Sequence, residues 1–261
     1  MSVSLRSLPR VPARLRGCIV PLAILLVWDV LTRFKLVNTL LVARPAAVLE
    51  VFLLQWREGD LIPELLASLR RDLTGFALGS CAGVAVGSVM GLSRVADRLL
   101  GPTFHAAKQV AIFAWIPLIS VWFGSEEPAK VVFISLSAFY PVVVSTFEGI
   151  RSVGREHVEV ARVFRFTHGQ ILRKVVLPGA LPSIFAGLHL GLVYSWLGTL
   201  GAEYLLAPGL GIGNLMIDGR EQFKMDKVLL GVIIAGGIGF TLNALSSRLE
   251  GRLSRWRVKL A

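Results

Sequence analysis

Charged side chains are concentrated in residues 159–182, EVARVFRFTHGQILRKVVLPGALP, between two long apolar stretches. Glu159, Arg162 and Arg165 fall at helical spacing, and a further basic pair precedes two prolines. Ionised groups of this kind form charge-assisted hydrogen bonds with a partner, and the valines between them can be buried against the same partner. The pattern indicates recognition of an anionic lipid surface or of another protein, and periodicity leaves both open.

Motifs of catalysis are absent from the sequence. A P-loop needs Gly-Lys followed by Ser or Thr to hold nucleotide phosphates, and the sequence contains no Gly-Lys pair. It also lacks the G-x-S-x-G, H-E-x-x-H and C-x-x-C motifs. Cys18 and Cys81 lie in apolar runs and are interpreted as packing residues, and the four histidines are dispersed. The sequence therefore predicts no enzyme and no metal or cofactor bound by this chain.

Composition places the chain among membrane proteins. Hydrophobic residues make up 54% of the 261 residues and charged residues only 17%, whereas soluble domains are about a quarter charged. The formal net charge is +11, but the cations form short clusters between apolar runs rather than one basic tract. We interpret this charge as a determinant of membrane topology and not as a nucleic-acid surface.

The elements that position the charged segment are six apolar runs, each long enough to span a bilayer. The sequence therefore predicts an all-α, polytopic membrane protein with six transmembrane helices and the 149–178 loop between helices 4 and 5. We divide the chain into a basic N-terminus (1–16), a transmembrane domain (17–247) and a basic C-terminus (248–261). The predicted spans lie near residues 17–33, 72–92, 105–124, 130–147, 183–204 and 228–247.

Loop charge predicts the orientation. With both termini inside, 18 of the 28 Lys and Arg residues, Lys108 among them, fall in cytoplasmic segments, as the positive-inside rule favours. Residues 93–104 and 149–178 are then cytoplasmic. Residues 206–226, which include the glycine-rich APGLGIGNLM, form an extracytoplasmic turn.

The second span carries a glycine at every fourth position from Gly75 to Gly91. This spacing places the glycines on one helix face, where they allow close approach of another backbone. A weaker ridge is expected around Gly231 and Gly239, and Pro117 and Pro141 are expected to interrupt spans three and four.

The charged segment is predicted to form two helices. In the first helix, Val153, Val158, Ala161 and Phe164 share one apolar arc. Thr167 and Gln170 match a capping box that opens the second helix, and Pro178 is predicted to end it.

The order E-A-A, three residues, G, nine residues, I-x-L-P is the signature of permease subunits of bacterial ABC importers, and this loop resembles it without a gap. In that family the loop forms coupling helices that sit in a groove of the ATP-hydrolysing subunit. The resemblance implies ATPase-coupling roles for Glu159, Ala161, Arg162, Arg165, Gly169, Leu177 and Pro178.

Two positions depart from the family signature. Val160 replaces the second alanine, and Arg165 stands where the family glycine makes the bend. The arginine affects the geometry of the turn between the two loop helices. Gly169, four residues later, is expected to make part of this bend.

The resemblance extends over most of residues 68–247. Segments such as SLRRDLTGFALGS, IPLISVWFGSEEPAK and LPGALPSIFAGLHLGL are similar to the branch that imports aliphatic sulfonates, taurine, nitrate or bicarbonate. The resemblance implies a bacterial inner-membrane protein that forms a homodimer with a second permease copy. It also implies two ATPase subunits, which hold ATP and Mg, and an extracytoplasmic solute-binding protein. An aliphatic sulfonate is the first choice of solute, and nitrate, taurine and bicarbonate are the alternatives.

A small anion crossing the bilayer needs hydrogen-bond donors or water, because a desolvated charge in hydrocarbon is costly. Polar side chains around Pro141 and in the fifth span can supply them. The candidate residues of the translocation path are Ser135, Ser137, Tyr140, Tyr194, Ser195 and Trp196.

Two other classes of protein are considered. A secondary transporter would rely on intramembrane ionisable groups, for which Asp29, His189 and Glu203 are the candidates, but the spans lack inverted halves. A membrane-bound scaffold that only recruits a partner would need neither the glycine ridge nor the prolines.

Overall fold

The computed structural model describes residues 13–34, 36–38 and 42–253. Regular structure in these ranges is entirely helical, which confirms the all-α class. Most of the two predicted basic termini lies outside the described residues. The helices are α1 (Ala13–Arg33), α2 (Pro45–Glu58), α3 (Leu61–Leu92), α4 (Arg94–Gln109), a 3-10 turn (Ile112–Trp115), α5 (Ile116–Phe123), α6 (Glu127–Arg151), α7 (Arg155–Val163), α8 (His168–Ile171), a π-helical segment (Leu172–Val176), α9 (Leu177–Leu205), α10 (Ile212–Glu221) and α11 (Met225–Leu253).

Four of the described helices are long and apolar enough to cross a membrane: α3, α6, α11 and the continuous helix His168–Leu205. A fifth crossing is made if α4 and the segment Ile112–Phe123, which meet at 100°, count as one span. The helix α1 lies where the first span was predicted but is not among these, so its crossing stays a prediction.

The third predicted span was expected to be interrupted at Pro117, but it breaks before that residue. The helix α4 ends at Gln109, and Val110 and Ala111 are extended before the chain turns through 100°. Pro117 lies in the first turn of α5, where its missing N–H costs no hydrogen bond. Pro141 lies inside α6 without ending it. The break therefore precedes the proline that the sequence suggested.

The glycine face of α3 packs directly on α6, as predicted. A Cβ atom on Gly75 would lie 2.5 Å from Cγ2 of Ile134, and one on Gly83 would lie 2.9 Å from Cβ of Val142. At Gly79 a Cβ atom would overlap the carbonyl oxygen of Ser135. The contacts advance together along both chains, so the two helices run parallel at backbone distance.

The helix α9 packs antiparallel on the other face of α6, again through glycines. A Cβ atom on Gly198 would lie 2.5 Å from Oγ of Ser137, and one on Gly187 would lie 2.5 Å from Cβ of Ser145. The helix α11 joins α9 where the indole nitrogen of Trp196 donates to the carbonyl of Ala235 over 3.0 Å. These helices form one bundle, with the 149–178 loop at one end, here called the loop end.

A buried ion cluster closes the opposite, far end of the bundle. Glu203 is fully buried near the end of α9, and its carboxylate accepts hydrogen bonds from Arg71 Nη1 and Ser68 Oγ, each over 2.7 Å. Arg71 also donates from Nε to Glu127 at the start of α6 over 2.7 Å. Because Ser68 and Arg71 belong to α3, Glu127 to α6 and Glu203 to α9, this cluster ties the three helices together. The pairing of Arg71 with Glu203 offsets the cost of burying their charges.

The cluster also holds the chain that follows α9. The backbone N–H of Gly213 donates to Glu203 over 2.8 Å, and that of Ile212 donates to Ser68 over 2.9 Å. Gly211 has φ +150°, and a Cβ atom there would overlap the Glu203 carboxylate. The glycine-rich stretch is thus a turn only up to Gly211, after which it forms α10, and the pairing of Glu203 with Arg71 gives this carboxylate a structural partner.

We expect Gly79→Ala to lower the free energy of unfolding by about 1–3 kcal/mol, because the added methyl group overlaps the α6 backbone. The matched control is Gly237→Ala in α11, where no atom lies within 4 Å of an added Cβ atom. Alanine there should be neutral or stabilising by up to about 1 kcal/mol through its helix propensity. Thermal unfolding in detergent measures both variants, and equal midpoints would contradict the assigned contact.

Candidate coupling surface and translocation cavity

The first loop helix, α7, ends in a reversal centred on Arg165. The N–H of Arg165 donates to the carbonyl of Arg162 over 2.8 Å, and the N–H of Phe166 donates to that of Ala161 over 3.1 Å. This pair of bonds defines a Schellman ending. It requires a left-handed residue, and Arg165 has φ +59°.

Arg165 therefore makes the bend itself. A left-handed conformation costs a non-glycine residue about 1–2 kcal/mol, and the two hydrogen bonds offset that cost. Gly169 lies inside α8 and is not among the described residues with positive φ. The expectation that Gly169 takes over the hinge is wrong, because the Schellman bonds fix the reversal four residues earlier.

The second loop helix begins at the predicted capping box. The side chain of Gln170 accepts from the N–H of Thr167 over 2.9 Å, and the hydroxyl of Thr167 accepts from the N–H of Gln170 over 3.4 Å. The prediction that Pro178 ends this helix is wrong. A π-helical segment precedes Pro178 and widens the turn around a residue without an N–H, so α8 continues into α9.

The structure places the predicted coupling residues on two sides of the loop. Glu159 and Arg162 are exposed, and neither forms an ion pair within 4.0 Å in the described part of the chain. Ala161 is buried against the rest of the loop, so its role is packing. Apart from Arg165 in the reversal, the other three lie outside α7: Gly169 is exposed, Leu177 is 44% exposed and Pro178 is half-buried.

Three apolar side chains of the loop were missed or misassigned from the sequence. Val160, Val163 and Phe164 are 56%, 81% and 71% exposed. Phe164 was expected in the buried arc with Ala161, but the spacing i, i+3, i+4 gives these three residues a stripe of their own. Together with Glu159 and Arg162 they form a charged and apolar patch, here called the coupling surface.

The loop is tied to the bundle beside this surface. Arg151, the last residue of α6, pairs with Asp97 in the first turn of α4 at 2.7 Å. Its guanidinium carbon also lies 4.7 Å from the centre of the Phe147 ring. The ends of two membrane helices are thereby fixed where the loop begins.

A cavity of about 600 Å³, here called the central cavity, lies between the end of α4, the middle of α6 and α9. Three of the six candidate path residues line it: Ser137, Tyr140 and Tyr194. Tyr194 is 52% exposed.

The other three candidates do not line the central cavity, and their polar groups form hydrogen bonds inside the bundle. The hydroxyl of Ser135 donates to the carbonyl of Val131, and that of the fully buried Ser195 donates to the carbonyl of Leu192. The indole nitrogen of Trp196 donates its hydrogen bond to Ala235 in α11. Among the described residues, no group of three or more His, Cys, Asp or Glu is placed to hold a metal ion.

Sequence reasoning also missed residues of the central cavity. Lys108, Gln109 and Ser145 line it. Lys108 had been assigned to a cytoplasmic segment, but the structure places it beside the middle of α6. The chain break at Val110 produces this position, and no proline or glycine marks that break in the sequence.

We expect Arg165→Gly to stabilise the chain by up to about 1 kcal/mol, because glycine adopts positive φ without a steric penalty. Arg162→Gly, the same side-chain change inside α7, should instead cost about 1 kcal/mol. Thermal unfolding of the two variants measures the difference. Destabilisation by Arg165→Gly would show that the arginine side chain makes a contact that outweighs its backbone strain.

Comparison with protein families gives one match over most of the chain. The family described as the binding-protein-dependent transport system inner membrane component matches residues 79–258.

Individual proteins are similar over more than two thirds of their length. The aliphatic sulfonates transport permease protein SsuC of Bacillus subtilis is 34% identical over 243 residues, which cover 93% of this chain and 88% of that protein. The taurine transport system permease protein TauC of Escherichia coli is 34% identical over 241 residues, covering 90% and 87%. The bicarbonate transport system permease protein CmpB of Synechococcus elongatus is 35% identical over 193 residues, covering 74% and 68%.

Solved structures share the fold. The MetNI methionine ABC transporter in an inward-facing conformation aligns with a TM-score of 0.65 at 15% identity, covering 74% of this chain and 96% of that one. An amino acid ABC transporter with histidines also aligns with a TM-score of 0.65, at 16% identity, covering 77% and 97%.

Proposed function

Because this chain belongs to the family of binding-protein-dependent transport system inner membrane components, a family of ABC importer permeases and not of enzymes, we propose that it conducts a small organic anion, with an aliphatic sulfonate as the first choice. The observation that carries the choice is the similarity to the sulfonate permease of Bacillus subtilis along nearly the whole of both chains. Nitrate, taurine and bicarbonate are the alternatives, since relatives with those names are similar to a comparable degree.

In this proposal, two ATPase subunits bind ATP and Mg and dock on the coupling surface. Its composition supports docking: Val163 and Phe164 offer apolar area, and Glu159 and Arg162 offer charges that no described residue pairs. Interfaces of this kind have an apolar centre with charged groups around it. Isolated surface helices seldom leave such a stripe exposed.

A second copy of the chain completes the path in the proposed homodimer. The exposed face of α9 carries Leu190, Val193 and Leu197, and a mainly apolar cavity of about 700 Å³ lies between α9 and α11. A two-fold axis brings the same face of both copies together, so the central cavities of the two permeases would face a common path. Solute arrives from an extracytoplasmic binding protein at the far end, and the loop end and both termini face the cytoplasm.

We expect Glu159→Lys to leave the protein inserted and folded but to weaken ATPase association and reduce uptake at least about tenfold, because a reversed charge is placed inside a docked interface. The control for ATPase association is Glu221→Lys, which makes the same change at an exposed position of the far end and should leave co-purification unchanged. ATPase co-purification and solute uptake are measured in parallel. Normal uptake by Glu159→Lys at equal expression would contradict the assigned surface.

Deletion of this chain should abolish growth on an alkanesulfonate as sole sulfur source while growth on sulfate continues. The physical basis is that a permanently charged sulfonate does not cross hydrocarbon without a protein path. Growth on taurine, and on nitrate as nitrogen source, tests the alternatives in the same strain. Unchanged growth on alkanesulfonates, with no second importer present, would move the assignment to another anion.

A further inference from the structure

Lys108 lies in the last turn of α4 and lines the central cavity together with Tyr140 and Tyr194. The ring of Phe104, one helical turn before Lys108, lies 5.9 Å from that of Tyr140 near the middle of the 25-residue helix α6. The exposed side chain of Lys108 is therefore at the level of the bundle centre and not at the loop end. An ionisable side chain at such depth is costly unless it meets water or a counter-charge. Its position therefore requires an explanation.

The charge of Lys108 is not neutralised by the chain. It forms no ion pair within 4.0 Å in the described residues, and no Asp or Glu lines the cavity. Two other cations of the membrane helices are placed differently: Arg71 is paired with Glu127 and Glu203, and Lys130 is almost fully buried at the far end. Lys108 is thus the cation that the described structure presents to the central cavity.

The neighbours of Lys108 suit one chemical class. The cavity wall also carries neutral hydrogen-bond groups, those of Gln109, Ser145 and the two tyrosines. These groups can donate hydrogen bonds to an oxyanion and bring no negative charge that would repel it. Val144 and Leu197 provide an apolar section of the same wall. A small oxyanion with a short apolar tail matches both parts.

We propose that Lys108 forms the centre of an anion-binding site in the central cavity, at which the permeating oxyanion pauses beside the middle of α6. The site deepens the proposed function and rests on it for the identity of the anion. A single lysine with neutral hydroxyl and amide neighbours binds weakly compared with a bidentate arginine clamp, and a weak site lets the solute leave again.

A different role for Lys108 would be purely structural. A cation in the last turn of a helix interacts favourably with the helix dipole, and this would stabilise α4 whichever way the side chain faces. The two roles differ in one measurable property. Only a charge facing the cavity changes the local concentration of small ions there.

The test uses thiol labelling in membranes that contain the whole transporter. Tyr194→Cys is introduced into a chain in which Cys18 and Cys81 are replaced by alanine. The rate of its modification is measured with an anionic sulfonatoethyl methanethiosulfonate, with a cationic trimethylammonium analogue and with a neutral methyl analogue. The ratio of the anionic to the cationic rate reports the charge of the cavity, and the neutral rate corrects for changes in access or folding.

We expect Lys108→Gln to lower this ratio by about fivefold or more, since it removes a nearby unit charge from a poorly screened site. Lys108→Arg should preserve the ratio, and Lys224→Gln, an exposed lysine of the far end, should leave it unchanged. An unchanged ratio in Lys108→Gln would overturn the site. The ratio does not depend on which solute is transported, so failure of the sulfonate assignment in growth or uptake would leave this result intact.

Discussion

The close contact between α3 and α6 is the constraint on which the rest of the bundle depends. Hydrocarbon gives two apolar helices little reason to associate, so the association relies on dispersion contacts at backbone distance, which the row from Gly75 to Gly91 permits. With α3 placed on one side of α6, α9 takes the other side through glycines of its own. The central cavity then exists because α4 turns away instead of filling the remaining face of α6.

The two ends of the bundle differ in how their charged side chains are paired. At the far end, Glu203 and Arg71 are buried and fully engaged, and the chain up to α10 is bonded to the same groups. At the loop end, the coupling surface leaves its ionised side chains unpaired and its apolar stripe in solvent. One end therefore pairs its buried ions Arg71 and Glu203 within a single chain, whereas the other leaves its charges and its apolar stripe exposed.

The sequence predicted the features that depend on interactions within a single helix. The glycine ridge and the Thr167 capping box depend on spacing within one helix, and both were correct. The bend at Val110 was not predictable in this way, because it reflects how α4 is held by neighbouring helices. The ion cluster around Glu203 joins residues more than 130 positions apart, and no pattern in one sequence pairs them. Arg165 adopts a positive φ that non-glycine residues disfavour, because the two Schellman hydrogen bonds offset the cost of that conformation.

The continuity of His168–Leu205 has a mechanical consequence. At 1.5 Å per residue, its 38 residues form a rod about 57 Å long, from the loop beside the coupling surface to the carboxylate of Glu203. A rod of that length that tilts by about 5° about one end displaces the other by about 5 Å. The π-helical segment Leu172–Val176 lies near the loop end of this rod. Under the proposed docking, a displacement at the loop would therefore reach the Glu203 cluster through one continuous helix.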